Sequence, residues 1–352
     1  MKSSISKRWK WNILRFALVA AIFIVLYKTG QFDMVRLKCA FKRPDLIMLS
    51  AALLLLGVLV NVQRWRILLK VQDFYISNTK AIKLTLIGDF FSVAIPGSVS
   101  GDIVKAYYLA RGKKQKEKLI TTIILDRLVG LYTMILIATL SIITTFLYSS
   151  INGDYGVWTN PTLRTLGYFI LTVFILLNIM GIIIVGSRGR YKFVEFLLKK
   201  APFHEAVIKI YEAVLQCGHK PGLMLNAIFV SILAQIIILM GVWSLFSILG
   251  INLLTAIDCL VALPICLAIN SIPLTPGGLG VGEAGFQGVF LLFGSDKGAE
   301  LAILYHMIYF GQRIGLGGMV YLFSDFSRNE SNITTKPMTN ENVRSYAAIL
   351  MG

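Results

Sequence analysis

Two stretches of the chain gather residue types that can hold an anion beside apolar helices. The first reads Ser92-Val93-Ala94-Ile95-Pro96-Gly97-Ser98-Val99-Ser100-Gly101-Asp102. The second reads Ile272-Pro273-Leu274-Thr275-Pro276-Gly277-Gly278-Leu279-Gly280-Val281-Gly282-Glu283. Each is followed, roughly 25 to 30 residues on, by an arginine inside apolar sequence, Asp126-Arg127-Leu128-Val129-Gly130 and then Gln312-Arg313-Ile314-Gly315. The planar fork of arginine donates two parallel hydrogen bonds to a phosphate and stays charged in a low dielectric. Glycine lets backbone approach a headgroup closely. A helix that starts after such a loop offers free N–H groups and the positive end of its dipole. The chemistry on offer is anion binding, with Arg127, Arg313, Lys105, Gly277, Gly278 and Gly280 as donors. Asp102, Asp126 and Glu283 then serve as resting partners of the arginines or as contacts for a cationic headgroup.

Each candidate has a competing structural reading. Arg127 and Asp126 are neighbours and can pair with each other. Asp102 and Glu283 open helices, where a carboxylate favours the dipole. Lys105 can snorkel to an interface. Asp89 lies in a short amphipathic segment, and Asp258 near a helix end. His306 lies two turns before Arg313, with Tyr309 between them, and reads as a hydrogen-bonded packing residue. An unpaired arginine at a helix centre costs about 2.5–3.5 kcal/mol in a membrane, so each of these charges requires a partner or a cavity.

The elements that position these residues are membrane helices. The chain of 352 residues is 56% hydrophobic and only 15% charged. Its mean hydropathy is +0.71. Full spans are expected at about 12–28, 46–63, 121–148, 164–187, 222–249 and 253–272, a short one at about 282–294 and a last one at about 299–324. The run at about 81–95 contains Asp89, ends at Pro96 and reads as re-entrant. The expected fold is an all-α polytopic membrane bundle of about eight transmembrane helices with re-entrant or broken segments. Gly/Pro breaks at matching places make it a pseudo-repeat of two halves around a central site, with the stretches 96–102 and 276–283 non-helical. Residues 1–324 form one integral membrane domain, and 325–352 a polar cytoplasmic tail, partly disordered.

Orientation follows from Lys and Arg in short loops. The loop 149–163 has none and is expected outside, whereas 111–118 and 188–220 are basic and expected inside. Both termini are then cytoplasmic, in a multi-pass protein of the cell (inner) membrane. The loop 28–45 is also basic and runs against this order. Before the first span, Lys2, Lys7, Arg8 and Lys10 precede a run with no small-residue cleavage pattern, so a retained helix is expected. The net charge of +17 is explained by topology and anionic headgroups rather than by nucleic acid. Cys39, Cys217, Cys259 and Cys266 show no metal spacing, and three histidines are too scattered for a metal site. No metal and no cofactor are expected.

The strings Gly101-Asp102-Ile103-Val104-Lys105-Ala106-Tyr107-Tyr108-Leu109, Asp126-Arg127-Leu128-Val129-Gly130 and Pro273-Leu274-Thr275-Pro276-Gly277-Gly278-Leu279-Gly280-Val281-Gly282-Glu283 resemble the lysylphosphatidylglycerol synthase transmembrane region, a flippase-like (UPF0104-type) membrane family. The resemblance spans nearly the whole chain. It implies translocation of an aminoacylated phospholipid. In fused relatives it also implies a cytoplasmic aminoacyl-transferase domain, which is not read in this chain, so enzyme activity is not expected. Lys105 stands where many relatives carry arginine, which implies a point charge there instead of a fork.

The leading functional reading is a lipid transporter that moves a phospholipid, an aminoacyl-lipid or a lipid-linked polar headgroup between leaflets. Its partners would be membrane lipids with anionic headgroups, a second copy of the chain, and a separate lipid-synthesising enzyme. The alternatives are an intramembrane lipid-modifying enzyme and a non-transporting accessory subunit. No Walker-type phosphate loop is present, which argues against ATP hydrolysis by this chain.

Overall fold

Proline and the first charges set the helix starts. The computed structural model describes residues 42–94, 100–110, 116–152, 159–186, 220–251, 256–271 and 280–324, with positions 215, 218, 278, 334 and 335. The expected first span at 12–28, Cys39, Cys217 and most of the basic segments lie outside the described residues. Helix α1 is Pro44–Val71, with proline preset at its first position and Asp45 in its first turn. α2 is Asn78–Ala94, α3 Ser100–Ala110, α4 Lys116–Asn152, α5 Pro161–Gly186, α6 Pro221–Trp243 and α7 Phe246–Leu249. α8 is Ala256–Asn270, α9 Val281–Leu292 and α10 Gly298–Gln312; a π segment, Arg313–Gly317, continues α10 into α11, Gly318–Phe323. A two-residue antiparallel bridge joins β1 (Phe74–Tyr75) to β2 (Thr334–Thr335), pairing Phe74 with Thr335.

Among the described residues four helical stretches are long and apolar enough to cross a membrane, Pro44–Val71, Thr121–Ile151, Pro161–Ile184 and Pro221–Leu249. α5 shows what solvates them. Only 6% of its apolar window is buried, and it turns Phe169, Ile175 and Ile182 outward. Such a face would be an anomaly in water and is ordinary in lipid. The protein is an all-α, multi-pass membrane bundle.

One expected boundary is corrected. α1 does not end at residue 63 but runs to Val71. Arg64 ends the apolar run, yet it is buried and paired, so the helix passes through it. Of the run 253–272 the described helix is the 15-residue α8, which runs unbroken through Pro264. At 1.5 Å per residue α8 covers about 22 Å, less than the ~30 Å hydrocarbon core. α2 (17 residues), α3 (11) and α9 (12) are also short. The short helices form two pairs, α2 with α3 and α8 with α9, each followed by a longer helical run that carries an arginine, α4 in one half and α10 with its π segment and α11 in the other. α2 also packs on the π segment, and α8 packs on α4. Each half thus lays its first short helix against the arginine-bearing helical run of the other half.

The largest cluster of buried side chains joins α4, α6, α8, α9 and α10. The rings of Phe286 and Phe290 stack on each other, and Phe286 stacks on Tyr305. Cys259 and Cys266 are buried in this cluster as packing thiols.

Candidate functional site

The exchange of short helices encloses a half-polar cavity of about 310 Å³. Its wall includes Asp89, Asp102, Lys105, Asp126, Arg127 and Arg313, which come from both halves. Gly278 also lines it, whereas Gly280 and Glu283 do not. Gly277 lies outside the described residues, as do Pro96, Gly97, Pro273 and Pro276.

The breaks are narrower than 96–102 and 276–283. Ser100–Asp102 already forms the first turn of α3, and Val281–Glu283 that of α9. Both carboxylates sit in the first turn because a negative charge there meets the free N–H groups of the helix. Gly101 packs directly on the backbone of Gly88, and a Cβ at this position would collide with the Gly88 carbonyl. That contact brings α2 and α3 together at the level of Asp89 and Asp102. Gly278 and Gly280 have φ of +84° and +80°, in the left-handed region that glycine adopts without strain.

Arg127 Nε forms an ion pair with Asp102 Oδ2. Arg313 does not meet Glu283, as the repeat had implied. It pairs with Asp89 Oδ1 at 3.2 Å and donates to Ser92 Oγ at 3.1 Å, both on α2 of the other half. Its guanidinium lies over the Tyr309 ring, 3.7 Å from the centroid. Glu283 turns inward instead. One oxygen accepts the Gly280 N–H at 2.6 Å, and the other contacts His306 Nδ1 at 2.8 Å. His306 is a buried, hydrogen-bonded residue of the packing, as its sequence context indicated.

Asp126 does not pair with its neighbour Arg127. It accepts from Arg64 Nε at 2.8 Å, and Arg64 Nη1 donates to Ser231 Oγ at 2.9 Å. Thr133 reaches the same Ser231 hydroxyl at 2.7 Å. The reason for Gly130 is steric, since a Cβ there would lie 3.1 Å from Arg64 Nη1. This network clamps α1, α4 and α6 together behind the cavity. Sequence reasoning missed Arg64 because it lies just past the apolar run. It missed Asn270, which also lines the cavity, because a lone amide at the end of α8 gave no signal. Both would have emerged from asking which polar residues border a break or an apolar end.

Counting Arg64, which stands behind the wall and pairs with Asp126, four cations (Arg64, Lys105, Arg127 and Arg313) meet three carboxylates (Asp89, Asp102 and Asp126). Lys105 makes no ion pair among the described residues, and its Nζ lies 5.4 Å from the centroid of the Trp65 ring. The wall together with Arg64 therefore carries one excess positive charge, and the guanidinium groups of Arg127 and Arg313 are held by carboxylates that an anion could replace. No group of residues with metal-binding composition occurs among those described.

Residues 12–317 match the family described as Lysylphosphatidylglycerol synthase TM region. A UPF0104 membrane protein of Methanocaldococcus jannaschii is 21% identical over 301 residues, covering 80% of this chain and 84% of that protein. No solved structure matches the chain. The matched range takes in both short-helix pairs and both arginines, so the chain belongs to the lysylphosphatidylglycerol synthase TM-region family of multi-pass membrane proteins.

Proposed function

We propose that this protein moves a lipid with an anionic headgroup between leaflets. The headgroup passes through the cavity while the acyl chains stay in the bilayer. The observation that carries this reading is the wall itself: two arginines from opposite halves, each held by a carboxylate, with one excess positive charge inside an apolar bundle once Arg64 behind them is counted. A phosphate entering the cavity takes the forks of Arg127 and Arg313 and frees Asp102 and Asp89. Exchanging one set of charge-assisted bonds for another keeps the transfer from becoming a deep trap. The paired short helices with facing termini fit an alternating arrangement around a fixed central site. Phospholipids, aminoacyl-lipids and lipid-linked polar headgroups all present such an anion.

The experiment is lipid movement in vesicles reconstituted with purified protein, followed by quenching of outer-leaflet fluorescent phospholipid and normalised to folded protein. Arg127→Gln and Arg313→Gln are each expected to lower the rate at least about tenfold, the effect of one lost charge-assisted contact. Arg→Lys at either position should fall with them, because lysine keeps the charge and loses the fork. Wild-type rates in both glutamine variants would remove the proposal. Conversion of the labelled lipid to a new species would instead favour a lipid-modifying enzyme.

A further inference from the structure

The cavity wall takes its charges from one set of helices and most of its amides from another. Asp89, Asp102, Lys105, Asp126, Arg127 and Arg313 stand on α2, α3, α4 and the π segment. α1 and α6 contribute Asn61 and Gln235, and the end of α8 contributes Asn270. Asn61 and Gln235 have no part in the anion site described above.

α1 and α6 pack antiparallel. Lys220, just before α6, donates to the Val71 carbonyl at 2.9 Å, and Arg64 donates to Ser231 at 2.9 Å. Further along, a Cβ on Gly57 would collide with Ile238. Asn61 lies three residues before Arg64, and Gln235 four residues after Ser231, so the two amides stand at one level, a turn beyond the clamp. Gln235 is 6% exposed, yet its side chain has no hydrogen-bond partner among the described residues. Asn61 Oδ1 is buried and without a partner as well. Asn270 differs, because its Oδ1 contacts His306 at 2.9 Å.

An unpaired amide is costly in an apolar bundle, and these two border a cavity that has room for a ligand. An amide offers donors and an acceptor without charge. A hydroxyl is likewise donor and acceptor, so the two are complementary. The terminal torsion of Asn or Gln is broad, and a turn about it presents either end of the amide. The charge count points the same way. The wall together with Arg64 has one excess positive charge, which a single phosphodiester neutralises. An ammonium on the headgroup would restore that excess, and the carboxylates it would seek stand among the cations of the wall. The volume of about 310 Å³ suits a small headgroup.

We propose that Asn61 and Gln235 form a hydroxyl subsite beside the anion subsite, and that the headgroup taken is a phosphodiester carrying a small, uncharged polyol. This deepens the lipid reading of the cavity and rests on it. The phosphate lies on the forks of Arg127 and Arg313, and the hydroxyls reach the amides of α1 and α6. The class is narrower than anionic lipids at large and leaves out the aminoacylated headgroup that the sequence resemblance implies.

The test is native mass spectrometry of the full chain in mild detergent with three lipids of equal acyl composition. Phosphatidylglycerol carries the hydroxyls, phosphatidylpropanol has the same charge and length without them, and lysylphosphatidylglycerol adds ammonium groups. The wild-type protein is expected to retain phosphatidylglycerol about tenfold better than either of the others. Asn61→Leu and Gln235→Met should each bring phosphatidylglycerol down to the level of phosphatidylpropanol and leave the latter unchanged. Arg127→Gln should lower both by one factor. Equal retention of these two lipids by the wild-type protein, as when water alone meets the amides, overturns the subsite, and so does a preference that survives both amide variants. Stronger retention of the lysyl lipid overturns the uncharged class. Binding of free glycerophosphoglycerol as tight as that of the lipid overturns a lipid as the occupant. The wild-type comparison decides even if a variant fails to insert. The two readings fail separately: lipid movement without a hydroxyl preference leaves transport standing and removes the subsite. A hydroxyl preference without lipid movement removes transport and leaves a lipid-binding site.

Discussion

The first and second breaks follow one plan but give their carboxylates different partners. Asp102 opens α3 and pairs with Arg127; Glu283 opens α9 and meets His306. The difference has a geometric origin. Counted from the helix starts at Lys116 and Gly298, Arg313 lies about one turn further along its helix than Arg127. At that depth the nearest carboxylate comes from the other half, as Asp89, and His306 occupies the place beside Glu283. Matching sequence strings thus produced an arginine ion pair at one break and a histidine contact at the other.

The comparison breaks most completely if the backbone contact under the first break is lost. Gly101→Leu would drive a side chain into the Gly88 carbonyl, and no rotamer relieves a collision made by Cβ itself. The expected outcome is failure to accumulate as a monodisperse species in mild detergent. Gly280→Leu, with nothing within 4 Å of its Cβ, should still accumulate.

Next in size is the asymmetry of the arginines. Arg313 and Asp89 side chains are 17% and 14% exposed, while Arg127 is 42% exposed. Arg313→Leu leaves Asp89 without its cation and should destabilise by about 3–5 kcal/mol, as for other buried pairs broken on one side. Arg127→Leu should cost about 1 kcal/mol, the upper range for an exposed pair. Chemical unfolding of both variants in the same micelle measures the difference. Equal losses would mean that the two breaks hold their arginines alike.

A smaller effect belongs to the glycines of the second break at positive φ. Gly280→Ala should cost about 1–2 kcal/mol through backbone strain alone, since the space around it is open. The same unfolding assay reads it. The smallest effect is at Lys105, the cation without a carboxylate partner among the described residues. Lys105→Gln should leave stability within about 0.5 kcal/mol and weaken retention of anionic lipid about tenfold, read by native mass spectrometry. Unchanged retention would locate anion binding at the arginines only.

The sequence by itself determined that this is an all-α membrane bundle, where its chain is broken, and which residues carry charge into apolar surroundings. These are local properties. Run length, Gly/Pro punctuation and helix-opening carboxylates act within a few turns, so α2, α3, α8 and α9 and the positions of Asp102 and Glu283 were legible. The extent of α1 was not, because the burial of Arg64 depends on its neighbours. Tertiary structure alone decided the partners. Arg313 finds Ser92 across 221 residues and Arg64 finds Ser231 across 167, and no spacing rule spans such separations. The pairing Arg313–Asp89 rather than Arg313–Glu283 follows from the exchange of short helices between halves, which is a matter of packing. A charge in lipid must find a partner, and that requirement is written in the sequence; which partner it finds depends on the one packing that brings both to the same wall.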